Sequence, residues 1–246
     1  AGEAYEEGGG GMNVFSSSEK IWTTRAALPD EYAEFVCTYT QKENEKPVLH
    51  IAADSNFVVY LNGNVAGFGQ YPGYPDYRVY SDVPLEGKSG ENELRIVAWH
   101  YGADTQTHIK RDAYLVFEAV SEGKILVKSD ENVLSRQYEE YENHRCKFLS
   151  VQLGFGYKYT GGKGGVWNKS VSLGKAGKFY PSQVKPLEEG ARVPADVIKT
   201  RDGYLIDMRE ETTGFLDFDV VSDRDDTVTV AYGEYLLPDG NVNRTL

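Results

Sequence analysis

Two short loops hold most of the residue types that could do chemistry. The first, 70–78, places Tyr71, Tyr74 and Tyr77 around Asp76 and Arg78. The second, 100–108, joins His100 and Tyr101 to Asp104 and His108. Aromatic faces beside carboxylate, guanidinium and imidazole groups suit sugars, because C–H faces lie on the rings while hydroxyls bond to the polar ends. The sequence therefore predicts a carbohydrate-binding surface at Tyr71, Tyr74, Asp76, Tyr77, Arg78, His100, Tyr101 and Asp104. Two other readings stand beside it. The tyrosines could cap the end of a sandwich with Asp76 paired to Arg78, or the loops could form a contact face for another domain.

Other constellations are weaker. His100 and His108 lack a third ligand in register, so zinc is not expected. Asp202, Asp223, Asp225 and Asp226 are clustered as a calcium site would need, yet without EF-hand spacing; a solvated turn between Val221 and Val228 is the expectation. No cofactor is expected, with calcium the one ion the composition leaves open. Glycoside hydrolysis needs two carboxyls across a sugar pocket. With 38 Asp and Glu residues, chance pairs are unavoidable, and the sequence singles out none. The glycine-rich stretch 153–165 is followed by Val166, Trp167 and Asn168 rather than the Lys-Ser/Thr of a phosphate loop, and it reads as a surface loop.

The elements that must position these loops are strands. The segments 34–40, 48–54, 56–61, 93–100, 114–120 and 124–128 alternate or run apolar, with turn residues between them. Asn62-Gly63 is the strongest hairpin signal, and period two puts Phe57, Val59 and Leu61 on one face. Ser121, Glu122 and Gly123 join 114–120 to 124–128 as a second hairpin. No segment carries a sustained helical period with caps.

At 246 residues the chain has room for one large or two medium domains. A net charge of -12 opposes nucleic-acid binding, and no apolar run approaches the ~20 residues of a membrane helix. Cys37 and Cys146 are expected as two separate thiols, although one disulfide would fit the count, and the compartment stays open. Residues 1–11 read as a flexible leader, 12–185 as one sandwich, and prolines 181, 186 and 194 mark a linker. Residues 191–246 then read as the beginning of a second sandwich.

The runs 53–63 and 65–69, with Tyr77, Asp82, Val83, Gly90 and Asn92, form a familiar set. They resemble the N-terminal sugar-binding-type β-sandwich that precedes the catalytic domain of α-L-rhamnosidases. Ile206-Asp207, Gly214-Phe215, Tyr232 to Glu234 and Asp239-Gly240 resemble a second sandwich of the same enzymes. The two matches cover about half of the chain. There are departures: Gln70 stands where proline is common, and Ser81 precedes Asp82-Val83 where a tyrosine is usual. The resemblance implies an all-β fold: a jelly-roll, galactose-binding-like sandwich followed by the start of a second, truncated one. It also implies that the catalytic carboxylates lie in a helical (α/α)6 barrel that would follow Leu246, so no catalytic residue is transferred. The expected partners are carbohydrate and that C-terminal catalytic domain, with neither nucleic acid nor membrane. A free-standing carbohydrate-binding or adhesion module is the alternative.

Overall fold

A computed structural model describes residues 14–69, 73–185, 188, 190–201, 203–224, 227–233 and 235–243. Tyr71, the leader 1–11, Asp202, Asp225, Asp226 and Glu234 lie outside the described residues. The chain is all-β, with no helix among the described residues, and none therefore long and apolar enough to cross a membrane. It divides into two units, 1–186 and 187–246.

In the first unit the strands run β1 (Glu19–Trp22), β2 (Glu31–Gln41), β3 (Val48–Asp54), β4 (Asn56–Leu61), β5 (Asn64–Gly69) and β6 (Gly73–Tyr74). There follow β7 (Tyr77–Pro84), β8 (Gly90–His100), β9 (Tyr114–Ser121), β10 (Lys124–Lys128) and β11 (Leu134–Gln137). Short strands complete the unit: β12 (Phe148–Ser150), β13 (Gly154–Phe155), β14 (Asn168–Lys169), β15 (Val171–Lys175) and β16 (Tyr180–Pro181). One sheet has the order β15-β1-β9-β3-β7-β16, with β10 on β9 and β6 on β7; the other has the order β14-β11-β2-β8-β4-β5.

Alternation decides which side chains fill the space between the sheets. Leu94, Ile96 and Ala98 of β8 and Phe57, Val59 and Leu61 of β4 meet Leu49 and Ile51 of β3 and Leu115 and Phe117 of β9. Trp22 is fully buried, and its indole N–H donates to Glu31 Oε1 at 2.7 Å, so the ring's polar atom is satisfied. Both expected hairpins form. Asn62 (φ 50°) and Gly63 (φ 84°) turn β4 into β5, and Glu122 (φ 51°) and Gly123 (φ 76°) turn β9 into β10. Two positive-φ residues match the twist of the flanking strands.

The outer faces are covered too. Tyr114 and Val116 of β9 pack outward on Phe15, Ala176 and Phe179. On the second sheet, buried Glu34 pairs with Arg95 at 2.8 Å and Arg136 at 2.7 Å. Each guanidinium lies over a ring, Tyr60 at 3.9 Å and Trp167 at 4.2 Å. Neither cysteine is in a disulfide; burial pushes the Cys37 thiol up to about 12.

Among the described residues the second unit carries one hairpin, β17 (Asp196–Lys199) with β18 (Tyr204–Asp207), closed by Thr200 N–H to Gly203 O at 3.0 Å. The second sandwich that the resemblance implies would need further strands around Gly214-Phe215 and from Tyr232 onward. The described residues there form only an isolated bridge between Leu236 and Val242. The apolar pattern is present, but Phe215 is 90% and Val221 98% exposed. A strand needs a hydrogen-bonded neighbour along its length as well as a pattern; among the described residues 214–219 has no ladder, and 230–236 has only that bridge with Asn243 N–H to Tyr235 O at 3.0 Å.

Candidate functional site

The loops singled out in the sequence are tied together by one buried carboxylate. Asp54 ends β3 and is 0% exposed. Its Oδ1 accepts from Ser55 Oγ at 3.1 Å and lies 3.2 Å from His100 Nδ1, at the end of β8. Its Oδ2 lies 2.9 Å from Arg111 Nε and 3.3 Å from His108 Nε2. Arg111 also donates from Nη2 to Gly73 O at 3.1 Å, which reaches the β6–β7 hairpin. The backbone N–H of Tyr101 donates to Ser55 Oγ at 3.2 Å.

Electrostatics follow from this packing. Burial alone would raise the Asp54 pKa. Hydrogen bonds from His100 and His108 and the charges of His108 and Arg111 outweigh it and hold the carboxyl well below the usual carboxylate range. Burial pulls His108 down, but its bonds to Asp54 and the Ala103 carbonyl carry it above its ordinary value. His108 Nδ1 lies 2.9 Å from Ala103 O, a pure acceptor, so that nitrogen carries a hydrogen. With Nε2 facing a carboxylate, the imidazolium is the form that satisfies both ends.

Ser55, His108 and Asp54 superficially suggest a nucleophilic triad, and the geometry excludes one. In a working triad the two imidazole nitrogens divide between serine and carboxylate. Here Nε2 alone serves both, at 3.0 Å from Ser55 Oγ, and Nδ1 is taken by Ala103. Ser55 and His108 are also buried, so no substrate carbonyl could reach them. The cluster is a clasp.

The predicted site residues divide between this clasp and the surface. His100 is 3% exposed and belongs to the clasp rather than to an open loop. Tyr101 packs on Trp99 and Phe155, and its hydroxyl accepts from Phe155 N–H at 2.9 Å. Asp104 closes its own loop by accepting from Lys110 N–H at 2.8 Å. Arg78 is half-buried, its guanidinium about 6 Å from the rings of Tyr114 and Phe179, and among the described residues no ion pair joins it to Asp76. Tyr74, Asp76 and Tyr77 face solvent at the β6–β7 turn. Tyr77 stacks on Tyr180 at 4.0 Å and 9°, and Lys178 lies 4.7 Å from the centre of the Tyr180 ring. That stacked pair brings residues 103 positions apart into one exposed aromatic surface.

Sequence reasoning missed a second aromatic assembly. Trp99, Tyr32 and Tyr141 form a stack, with centroids 5.4 Å apart at 6° and then 5.0 Å apart at 17°. Tyr157 and Tyr159 meet Tyr141 edge-on. The signal in the sequence was tyrosine spacing, at 138 and 141 and at 157 and 159. Nothing local says that both pairs fold over the outer face of β2 and β8.

No family model matches the sequence, and no curated protein matches it significantly. Among solved structures, the chain superposes on a GH78 family rhamnosidase of Bacillus sp. GL1 with a TM-score of 0.66 and 20% identity. That match covers 74% of this chain and 21% of the enzyme. An α-L-rhamnosidase from Dictyoglumus thermophilum matches at a TM-score of 0.48 and 15% identity, over 70% of this chain and 22% of that one. A lectin from Pleurotus ostreatus in complex with GalNAc matches at 0.44 and 13%, over 77% and 53%. The likeness to the first is one of architecture: the chain folds as part of a GH78 family rhamnosidase does.

Proposed function

We propose that this chain is a non-catalytic accessory region of an α-L-rhamnosidase-like glycoside hydrolase, one that supports a catalytic domain and binds carbohydrate. The observation that carries the reading is the shared fold over 74% of the chain, matched to only 21% of the rhamnosidase. Two features of the molecule support it. The cluster at Asp54, with Ser55 and His108, carries hydrolase-like residue types but is a buried clasp. The exposed Tyr74, Asp76 and Tyr77, with stacked Tyr180, offer flat rings beside a carboxylate, which is how proteins hold neutral sugars.

The test has two arms. Incubated alone with an aryl α-L-rhamnoside, the chain should release no phenol; steady release by purified protein overturns the reading. Titrated with L-rhamnose and rhamnose-containing oligosaccharides, it should show a saturable fluorescence change that Tyr77→Ala weakens. Sequencing the gene past Leu246 then separates an accessory region from a free-standing module: a long helical continuation supports the first, and a stop codon contradicts it.

A further inference from the structure

The covering segment over the second sheet leaves an open cleft of about 360 Å³, lined by Gln137, Glu139, Tyr141, Asn143, His144 and Arg145. We propose that it is a second carbohydrate subsite, binding a neutral sugar through neighbouring hydroxyls. The proposal rests on the carbohydrate-binding part of the function above and names a place for it that neither predicted loop contains.

The argument turns on which polar groups are already used. His144 is held between Pro29 O, 3.0 Å from Nδ1, and Gln137 Nε2, 3.1 Å from Nε2. Asn143 donates to Tyr138 O and Tyr141 O, each at 2.9 Å, and accepts from Tyr32 N–H at 2.6 Å. Glu142, which also lines the cleft, is paired with Lys158 at 2.8 Å. The Glu139 carboxylate, the Tyr141 hydroxyl and the Arg145 guanidinium also line the cleft and make no direct hydrogen bond or ion pair among the described residues, although the Arg145 charge acts on Glu142, and the Gln137 side-chain oxygen is open as well. A carboxylate accepts, a guanidinium donates, and a phenol does both. Adjacent sugar hydroxyls, each a donor and an acceptor, complement that mixture. The opposite charges of Glu139 and Arg145 offset one another locally, and the chain's net charge of -12 disfavours a polyanion.

The frame is also preorganised, which lowers the entropic cost of binding. Tyr141 is fixed by its stack on Tyr32. The loop opposite is anchored by Thr160 N–H to Glu140 O at 2.7 Å and Thr160 Oγ to Glu139 O at 3.0 Å. A Cβ at Gly162 would overlap the Glu139 carbonyl, so glycine lets that loop close against the cleft wall.

The experiment uses the full chain and ligand-observed NMR with L-rhamnose, D-galactose and N-acetyl-D-galactosamine as neutral probes and D-galacturonate as an anionic one. Glu139→Gln and Arg145→Gln alter exposed side chains, and unchanged thermal midpoints would verify that both variants fold. Each should weaken neutral-sugar binding about tenfold or more, the loss expected for one hydrogen bond to a charged group, while Tyr77→Ala leaves a saturable component. If Tyr77→Ala abolishes binding and the cleft variants do not change it, the cleft proposal fails and the carbohydrate reading stands. If the unmodified chain binds no probe at tens of millimolar, the carbohydrate reading itself fails and takes the cleft with it. Tighter binding of galacturonate than of every neutral probe overturns the assignment to neutral sugars.

Discussion

A carboxylate shut away from water is costly unless its charge is answered, and Asp54 is answered on both oxygens. Replacing it tests how much of the sandwich end depends on it. Asp54→Asn keeps the shape but leaves Arg111 and His108 facing a neutral amide, and breaking a buried pair from one side costs about 3 kcal/mol or more. Urea melts should show a loss of that order, with the β-rich circular dichroism spectrum retained. The pH response has two limbs. Asp54 is depressed in the folded state, so its stabilisation is present above about 3.9, its unfolded value, and is lost as pH falls from there through the folded value. His108 is raised, so its stabilisation is complete below about 6.5 and is lost as pH rises through its folded pKa. The clasp is therefore tightest between those limits. An NMR titration should place the His108 imidazole above 6.5, and a midpoint below that value contradicts the clasp as drawn.

Strands and turns were legible in the sequence wherever the information is local. Asn62-Gly63 announces positive φ in the residues themselves, Ser121 to Gly123 reads as a hairpin loop through its glycine, and the alternation of 56–61 states its buried face. Gly63→Ala isolates that local term. No atom lies within 4 Å of where its Cβ would stand, so only the φ of 84° resists the substitution. The expected cost is about 1 kcal/mol in a denaturant melt; no change would mean that the turn relaxes to another type. What depends on distant partners could not be read in advance. Asp54 meets His100 and His108, roughly half a hundred residues away, and the Tyr32–Trp99–Tyr141 stack draws on three separate segments. His100 reads as a loop ligand from its neighbours, yet β8 carries it inward because period two continues from Leu94 through Ile96 and Ala98. The same limit applies at 214–219, where an apolar pattern exists without a neighbouring strand.

At the scale of the molecule, the two units differ in what could hold each of them folded. The first has a continuous core shared by two sheets, with Trp22, Phe35, Leu49, Ile51, Leu94, Ile96, Leu115 and Phe117 all nearly inaccessible to water. Burial of each such side chain contributes about 1.5–3 kcal/mol before entropy is counted. The second has, among the described residues, a single hairpin whose side chains are mostly exposed, with Val197 at 66% and Tyr204 at 70%. A two-stranded hairpin without a buried face is marginal in water. Its surface ion pairs, Arg209 with Asp196 and Arg192 with Asp217, add little, because exposed pairs are screened. A polypeptide ending at Lys185 should therefore unfold in one cooperative transition with nearly the same thermal midpoint as the 246-residue chain. Limited proteolysis of the whole chain should cut first between 188 and 243 and leave the sandwich intact. A midpoint lowered by many degrees in the shortened chain would mean that the sandwich depends on the second unit for its stability, and the division at 186 would not describe how the protein folds.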